Sequence, residues 1–267
     1  MSRIGRSSAA IGWLAAVTLS TAATADEIVQ IAFIGDDSGD AYQGASMGLD
    51  EINRAGGFLG FEFALTAVAD HEHIDDDAIA VLVTVDGASA GDVAGAFPQL
   101  AVFNTGSDDD ALRALCRDNL FSIMPSASMR SDAIAQWQQQ ADDEDISAVA
   151  HHHRFRRYSS GDLNGRYVEA FDEPMTESAW TAFVAVRMVG DGVTRTTSRE
   201  PDALIEHLWG LESFDASKGQ PLSFRENGQL RQPLWIVQGD DVLGESPVEG
   251  VVDPDDLDTL GGVSCSK

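Results

Sequence analysis

The chain is poor in lysine, in cysteine and in long apolar runs. Two lysines occur among 267 residues, and 17 basic side chains stand against 44 acidic ones, which gives a net charge of −27 at pH 7. A charge of this sign repels phosphate backbones, so we expect no nucleic-acid partner. The 25 glycines follow no period, which excludes a collagen-like chain.

Hydrophobic residues are nonetheless frequent enough to build a core. They make up 43% of the chain, which argues against intrinsic disorder despite the charge. Thirty of the acidic residues are aspartates. Because an aspartate-rich, lysine-poor surface stays hydrated in concentrated salt, we expect most of these carboxylates on a solvated surface.

Residues 1–25 have the pattern of a secretory signal peptide. Arg3 and Arg6 precede an apolar run over 9–19 that is too short to span a bilayer comfortably, and 23–25 gives the small-x-small cleavage pattern. We therefore expect export to the periplasm. The alternative is an uncleaved membrane anchor, which the small residues disfavour. No later apolar run approaches ~18 residues, so we expect a chain that is not membrane-embedded after signal cleavage.

The predicted export affects the expected redox state of the two cysteines, Cys116 and Cys265. In an oxidising compartment two cysteines can pair, and a single pair is more often structural than catalytic. We predict a Cys116–Cys265 disulfide that fastens the C-terminal tail. The alternative is two free thiols, which export disfavours.

Apolar runs of strand length alternate with amphipathic segments through the first half of the chain. Strands are predicted over 28–34, 61–68, 78–85, 100–103 and 120–124. Helices are predicted over 41–54, 89–96, 108–117 and 128–140. The run over 78–85 is apolar except for Thr84, as in a strand buried on both faces. This alternation predicts an α/β fold with a parallel sheet.

The second half has a different pattern, with one short strand and three helices before a hairpin. The strand is predicted over 146–150, and the helices over 162–171, 177–195 and 201–211. Asn227-Gly228 is a strong hairpin signal between apolar segments over 222–225 and 233–237. The tail from Gly239 is polar and acidic, and we expect few of its residues in the core.

Two groups of motifs run through the chain. The first group comprises IAFIGDDSG at 31–39, EINRAGG at 51–57, FNTGS at 103–107, CR at 116–117 and IMPS at 123–126. It resembles the first lobe of branched-chain amino-acid-type periplasmic substrate-binding proteins of ABC transporters. The second group comprises PMT at 174–176, AFVAVR at 182–187, VTRT at 193–196, KGQPLSFR at 218–225, GQLRQP at 228–233 and LDTLG at 257–261. It resembles the branch associated with pyrroloquinoline-quinone-dependent alcohol dehydrogenase systems.

The resemblance covers most of the chain beyond the signal peptide and implies the type I periplasmic-binding-protein fold, in which two α/β lobes close on a ligand. Compared with that pattern, about three βα units are missing, roughly 90 residues at ~30 residues per unit. We therefore expect a parallel-sheet first lobe over 26–140 and a shortened, mainly helical second lobe over 141–219. A hairpin and tail over 220–267 should return to the first lobe.

In this fold the ligand meets loops at the carboxyl ends of parallel strands, where amides and hydroxyls point into the cleft. The resemblance places eight candidate ligand-binding residues on three such loops: Asp37, Ser38, Asp86, Ser89, Asn104, Thr105, Gly106 and Ser107. Gly106 permits a close approach to the backbone. The residues alone favour another interpretation of 104–107, a turn with a helix cap, and both interpretations stay open.

The aspartates of these loops disfavour an amino-acid carboxylate and suit a cation better. The histidines of 70–73 and 151–153 belong to a residue type that binds transition metals, but solvated loops explain both segments better. A calcium or lanthanide ion, which prefers oxygen ligands, is one ligand hypothesis beside a small organic solute. We expect no resident metal and no cofactor.

Neither a His-Glu-x-x-His motif nor a glycine-rich phosphate loop is present, and we expect no enzyme. The resemblance implies an exported solute-binding component of an ABC transport system linked to quinoprotein alcohol oxidation, working with an ABC permease. It would bind a small solute or ion without converting it. The alternative is a non-transport periplasmic accessory protein whose degenerate cleft leaves a surface that docks a partner.

Overall fold

The computed structural model describes residues 28–262 and residue 265. The predicted signal peptide over 1–25 lies outside these residues. Among the residues described, no helix has both the length and the apolar character that a bilayer crossing requires.

Five parallel strands form the central sheet. In chain order they are β1 (Ile28–Ile34), β2 (Glu62–Val68), β3 (Ala78–Val83), β4 (Ala101–Asn104) and β5 (Leu120–Ser122). Their spatial order is β2-β1-β3-β4-β5, and every neighbouring pair is parallel. β3 is buried along its whole length, as expected when both faces of a parallel sheet are covered. The predicted α/β fold with a parallel sheet is confirmed.

Helices follow four of these strands and cover both faces of the sheet. They are α1 (Asp40–Gly56) after β1, α2 (Gly87–Ala96) after β3, α3 (Asp110–Arg113) after β4 and α4 (Ala127–Trp137) after β5. Successive residues of a strand point to opposite faces. Accordingly, Ile31 and Phe33 lie in one apolar cluster, whereas Ala32 and Ile34 lie in a second cluster. The alternation along β1 therefore divides the core into two layers.

α3 is a single turn, shorter than the helix predicted over 108–117. Asp109 caps its start, because its carboxylate accepts a hydrogen bond from the amide of Ala111. Beyond the helix, Cys116 has a φ of 47°, and this left-handed backbone cannot continue a right-handed helix. The predicted extension to Arg117 is therefore wrong.

The second half adds strand β6 (Ser147–Val149) and helices α5 (Ser160–Phe171), α6 (Glu177–Thr196) and α7 (Pro201–Trp209). α6 is buried around most of its circumference and lies in extensive contact along α1. Phe183 of α6 shares an apolar cluster with Ala45 of α1 and Phe33 of β1. The longest helix of the region over 141–219 thus packs on the first sheet, and the division of the chain into lobes stays a proposal.

Gly44 of α1 lies directly against α6. A Cβ atom on Gly44 would lie 1.9 Å from the carbonyl oxygen of Ala179, and no rotation of a side chain relieves a contact with backbone. We therefore expect Gly44→Ala to lower the free energy of unfolding by about 2–3 kcal/mol through overpacking. Urea unfolding measures the loss.

Gly165 of α5 is the matched control, since no atom lies within 4 Å of its Cβ position. Alanine is the better helix former, so Gly165→Ala should stabilise the protein by about 0.5–1 kcal/mol. Equal effects of the two substitutions would contradict the close approach of α1 to α6.

The C-terminal part contains a hairpin and a small antiparallel sheet. Strand β7 (Ser223–Phe224) pairs with β8 (Leu230–Arg231), and β9 (Leu234–Gln238) pairs with both β10 (Asp241–Ser246) and β6. The turn at Asn227-Gly228 is confirmed, but its second arm is β8 and not the predicted segment over 233–237. Pro233 separates the two strands, because proline has no N–H to donate to a ladder.

The tail beyond Gly239 contributes few residues to the core. β10 forms an edge strand of the small sheet, and most of its residues are only partly buried. Beyond it, Val248, Leu257 and Leu260 are buried. The expectation of few core residues in the tail is therefore confirmed.

Cys116 and Cys265 form the predicted disulfide, with Cα atoms 5.9 Å apart. Hydrogen bonds also hold the tail near this bridge. The amide of Gly261 donates to the Asp132 carboxylate at 2.7 Å, and the Gly261 carbonyl accepts from Arg225 at 2.7 Å. The tail is thus fastened to the body of the molecule both covalently and by buried polar contacts.

The hairpin turn also covers the outer edge of β5. The amide of Ser122 donates to the carbonyl of Gly228 at 2.7 Å, and Gln229 bridges to Ser122 in parallel orientation. At the other edge of the sheet, β2 has no strand paired on its outer side within residues 28–262.

Candidate functional site

The carboxyl ends of β1, β3 and β4 bring the predicted site residues to one edge of the central sheet. Parallel strands end at the same edge, and ligands of such sheets bind in the crevice outside it. Three loops follow these strands, at 35–39, 84–86 and 104–109. The eight predicted ligand-binding residues lie on or beside them.

The loop after β1 is exposed and internally hydrogen-bonded. Asp36 accepts hydrogen bonds from the Ser38 amide at 2.9 Å and the Ser38 hydroxyl at 2.6 Å. These bonds, the side-chain one first, lower the pKa of Asp36 below its ordinary value. Asp37 beside it is exposed. The loop therefore presents negative charge, while the Ser38 hydroxyl already has an acceptor.

Asp86 and Ser89 form the start of α2. The Asp86 carboxylate accepts from the Ser89 amide at 2.9 Å and from the Ser89 hydroxyl at 3.3 Å. The amide bond is the main reason why the pKa of Asp86 lies below its ordinary value. An aspartate in this position caps a helix and complements its dipole. It also moves the start of α2 to Gly87, two residues before the predicted start at Ser89.

Asn104 and Thr105 are fully buried and are satisfied by the protein itself. The Asn104 amide donates to the carbonyl of Ser107 at 2.8 Å and its oxygen accepts from the Ser107 amide at 2.9 Å. The Thr105 hydroxyl donates to the carbonyl of Val83 at 3.3 Å. These bonds describe a rigid turn, and a ligand contact of 104–107 stays a prediction.

Gly106 makes a close approach, and its partner is the neighbouring loop. A Cβ atom at Gly106 would lie 2.2 Å from the carbonyl oxygen of Thr84. Ser107 is partly exposed, and its hydroxyl accepts from the amide of Asp109 at 3.2 Å. Glycine is therefore required at 106 for packing between two loops.

A buried arginine, Arg113, supports the loop at 104–107. It was not among the residues predicted from the sequence. Arg113 is 1% exposed and donates to the carbonyls of Ser107 at 2.9 Å and Met124 at 2.6 Å. Its Nε donates to the side-chain oxygen of Gln229 at 2.8 Å. Burial lowers the pKa of Arg113 to about 10, while the nearby aspartates oppose that shift, so the guanidinium stays charged at neutral pH.

A cleft of about 470 Å³ opens at this edge, between α2 and the ends of β1 and β2. Of the eight predicted residues, Asp86 and Ser89 line it, and the other six do not. Its walls are contributed by ten residues: Ile34, Gly35, Ala69, Asp70, His71, Val85, Asp86, Ser89, Asp92 and Val93. All of them lie between 34 and 93, so the second half of the chain contributes no wall.

The cleft is negatively charged. Asp70, Asp86 and Asp92 line it without any lysine or arginine, and a hydrogen bond from His73 lowers the pKa of Asp70. Carboxylates that face no lysine or arginine repel an anionic ligand and attract a cation. Among the residues that the structure describes, no group of three or more histidine, cysteine and acidic side chains is placed to hold a metal ion. The negative lining therefore suits a cationic or neutral ligand better than an anion.

The two histidine segments differ from each other. His73 is exposed beside Asp70, as the solvated-loop interpretation predicts. His151 is buried, and its Nε2 lies 2.9 Å from the side-chain oxygen of Asn164. Burial lowers the pKa of His151 to about 3, so it is neutral at physiological pH. The solvated-loop interpretation is therefore wrong for His151.

The segment Gly87–Gly91 (GASAG) has the Gly-x-Ser-x-Gly spacing of a hydrolase nucleophile elbow. The expectation that the protein is not an enzyme did not take this match into account. An elbow serine sits in a strained turn and needs a histidine base. Ser89 instead lies within α2, and its hydroxyl donates to Asp86. The Gly-x-Ser-x-Gly segment therefore forms the start of α2 and not a nucleophile elbow.

Comparison with known proteins supports the fold from another direction. No protein-family model and no curated protein matches the chain. A branched-chain amino acid transporter substrate binding protein from Streptococcus pneumoniae, solved with isoleucine, has a TM-score of 0.66 at 11% identity, over 82% of this chain and 99% of that one. A leucine binding protein from Thermotoga maritima has a TM-score of 0.62 at 11% identity, over 82% and 98%.

A third structure extends the range of ligands among these similar proteins. A solute binding protein of an ABC transporter from Rhodopseudomonas palustris, in complex with 3,4-dihydroxy benzoic acid, has a TM-score of 0.64 at 8% identity, over 82% of this chain and 94% of that one. The central sheet, its helices and these similarities agree. The chain therefore has the type I periplasmic-binding-protein fold.

Proposed function

We propose that the protein is an exported, periplasmic solute-binding component of an ABC transport system, which holds a small solute without converting it and delivers it to an ABC permease. The observation that supports this proposal is the 470 Å³ cleft at the carboxyl edge of the parallel sheet, where this type of fold binds ligands. The proteins with similar structures bind isoleucine and 3,4-dihydroxy benzoic acid.

The proposed ligand is a cationic or neutral solute. Asp70, Asp86 and Asp92 line the cleft and disfavour the carboxylate of an amino acid. The motifs at 218–225 and 228–233 support a finer proposal, that the transport system serves alcohol oxidation dependent on pyrroloquinoline quinone. Alcohols, aldehydes, calcium and lanthanide ions are then the candidate ligands.

One observation favours the alternative of an accessory protein that docks a partner. All residues that line the cleft lie between 34 and 93, and α6 packs along α1. A cleft with walls from one half of the chain encloses a ligand less completely than two closing lobes do. If the cleft does not enclose a solute, its surface would bind a protein partner instead.

Calorimetry with amines, alcohols, aldehydes, amino acids, calcium and lanthanide ions tests the proposal. We expect saturable binding of a cationic member of this panel, weakened about tenfold by Asp86→Asn because one attractive charge is lost. Asparagine caps helices as well as aspartate does, so α2 should stay intact. Asp142→Asn, which removes an exposed charge that does not line the cleft, is the control and should leave binding unchanged.

The outcomes separate the two functions. If the wild-type protein binds no member of the panel, the result would favour the accessory protein. Binding that both variants retain fully would place the ligand outside the α2 cleft and contradict the proposed site.

A further inference from the structure

One of the two lysines is buried in an aromatic cage. Lys218 is 2% exposed, and its Nζ lies 4.6 Å from the ring centroid of Trp180 and 4.5 Å from that of Trp235. The same nitrogen donates hydrogen bonds to the carbonyl of Ala150 and, at 2.9 Å, to the carbonyl of Pro233. Two aromatic faces and two carbonyl oxygens are the surroundings in which proteins recognise ammonium groups.

The cage is built by elements that do not depend on Lys218. Trp180 belongs to α6 and stacks on His151, with ring planes 6° apart. Trp235 belongs to β9 and stacks on Phe155 at a centroid distance of 3.9 Å. Because each indole is held by a second ring, the walls should persist when the lysine side chain is absent.

Opposing influences act on the charged form of the amine. Burial lowers the pKa of Lys218 below its ordinary value, and the charges of Glu177 and Glu245 oppose that shift. Interactions with the indole faces also stabilise the cation. The two indole faces and the two carbonyl oxygens therefore give the cage the shape and the contacts that an alkylammonium group requires.

The lysine is carried by a segment that lies between two clefts. Clefts of about 380 Å³ and 330 Å³ are both lined by Tyr158, Gly219 and Gln220. Lys218 is flanked by Ser217 with a φ of 60° and Gly219 with a φ of 81°, so the chain turns sharply on each side of the lysine. The cleft of 380 Å³ is also lined by Lys218 and Pro233, so space for the rest of a ligand adjoins the cage there.

We propose that the cage is an alkylammonium-binding site that the chain fills with its own Lys218. The side chain acts as a tethered ligand, and the segment over 217–220 closes the site against free amines. The site involves none of the residues of the α2 cleft, so its test is independent of the proposed transport function.

Lys218→Ala tests the proposal, with n-butylammonium chloride as the probe. The substitution removes the tethered ammonium and leaves the cage open. We expect saturable binding, seen as a change in tryptophan fluorescence and a rise in melting temperature. The affinity should exceed that of the wild-type protein about tenfold or more, because the tethered lysine competes at a high effective concentration.

Two controls separate an ammonium site from a simple cavity. n-Butanol has a similar shape without the charge and should not bind to Lys218→Ala at the same concentrations. Lys218→Met refills the cage with an uncharged chain, and this variant should not respond to butylammonium. Equal responses to butanol and butylammonium, or no saturable binding to a folded Lys218→Ala, would overturn the proposal.

A measurement on the wild-type protein covers the case in which Lys218→Ala does not fold. The chain has two lysines, Lys218 and Lys267, so isotopic labelling of lysine gives a simple spectrum. We expect a slowly exchanging ammonium signal from Lys218 at neutral pH, shifted by the ring currents of Trp180 and Trp235. A neutral or rapidly exchanging amine at this position would exclude an ammonium cage.

Discussion

Replacing both Cys116 and Cys265 by serine should lower the free energy of unfolding by about 5 kcal/mol. The disulfide joins residues separated by 149 positions, and the chain-entropy model assigns this magnitude to so long a loop. Strain in the folded protein reduces the figure, so 5 kcal/mol is the upper end. Urea unfolding of the double variant beside the oxidised wild type measures the difference.

The reduced wild-type protein is the control for the serine substitutions. It should unfold at the same urea concentration as the double variant, since both lack the covalent link. Intact mass after alkylation of the unreduced, denatured protein reports the link directly. Two alkylated cysteines would refute the bridge, and an unchanged unfolding midpoint in the double variant would show that the non-covalent contacts of Gly261 hold the tail alone.

Arg113→Met should be nearly as damaging, with an expected loss of about 3–5 kcal/mol in the free energy of unfolding. Methionine is of similar length but donates no hydrogen bond. The carbonyls of Ser107 and Met124 and the side chain of Gln229 would lose their charged donor. A hydrogen bond to a charged group contributes about 1.5–3 kcal/mol. The carbonyls of Ser107 and Met124 would keep donors in Asn104 and Gln229, so the lost bonds to the guanidinium account for the estimate.

Arg117→Met is the matched control for Arg113. Arg117 is exposed four residues further along, and substitutions at such positions usually change stability by less than about 0.5 kcal/mol. Urea unfolding of both variants gives the comparison. A loss in Arg113→Met no larger than in Arg117→Met would mean that the turn at 104–107 does not depend on this guanidinium.

The central sheet was predictable because its pattern is local. The apolar run at 78–83 and the alternation along β1 are patterns of neighbouring residues, and both patterns predict burial. β10 was not predictable in this way. Its residues, Asp241–Ser246, pair with β9 at the edge of a sheet, where polar side chains and a glycine are tolerated and the strand pattern disappears.

Buried charges were beyond sequence reasoning for a different reason. Arginine and lysine are almost never fully buried unless they are paired, and each of the two residues here has a partner that is distant in the chain. Gln229 lies 116 positions from Arg113, and Ala150 lies 68 positions from Lys218. No local pattern in the sequence contains such a pair. From the sequence, both residues therefore resemble ordinary surface cations.

The candidate site shows a related difficulty. Asp86 and Ser89 line the cleft, and their contact with a ligand stays a prediction. Asn104 and Thr105 were chosen because their side chains donate and accept hydrogen bonds, but here those bonds go to the main chain and to Ser122. The same residue types serve a ligand or a turn, and only the three-dimensional arrangement distinguishes the two uses.

The turn at Gly228 that covers β5 has a consequence for association between copies of the chain. An uncovered edge strand offers free N–H and C=O groups to a strand of another molecule, and this is a common route to aggregation. The bond from Ser122 to Gly228 occupies part of that edge. Extension of the central sheet by a second molecule would therefore take place along β2, where Glu62 begins the strand with an exposed charge.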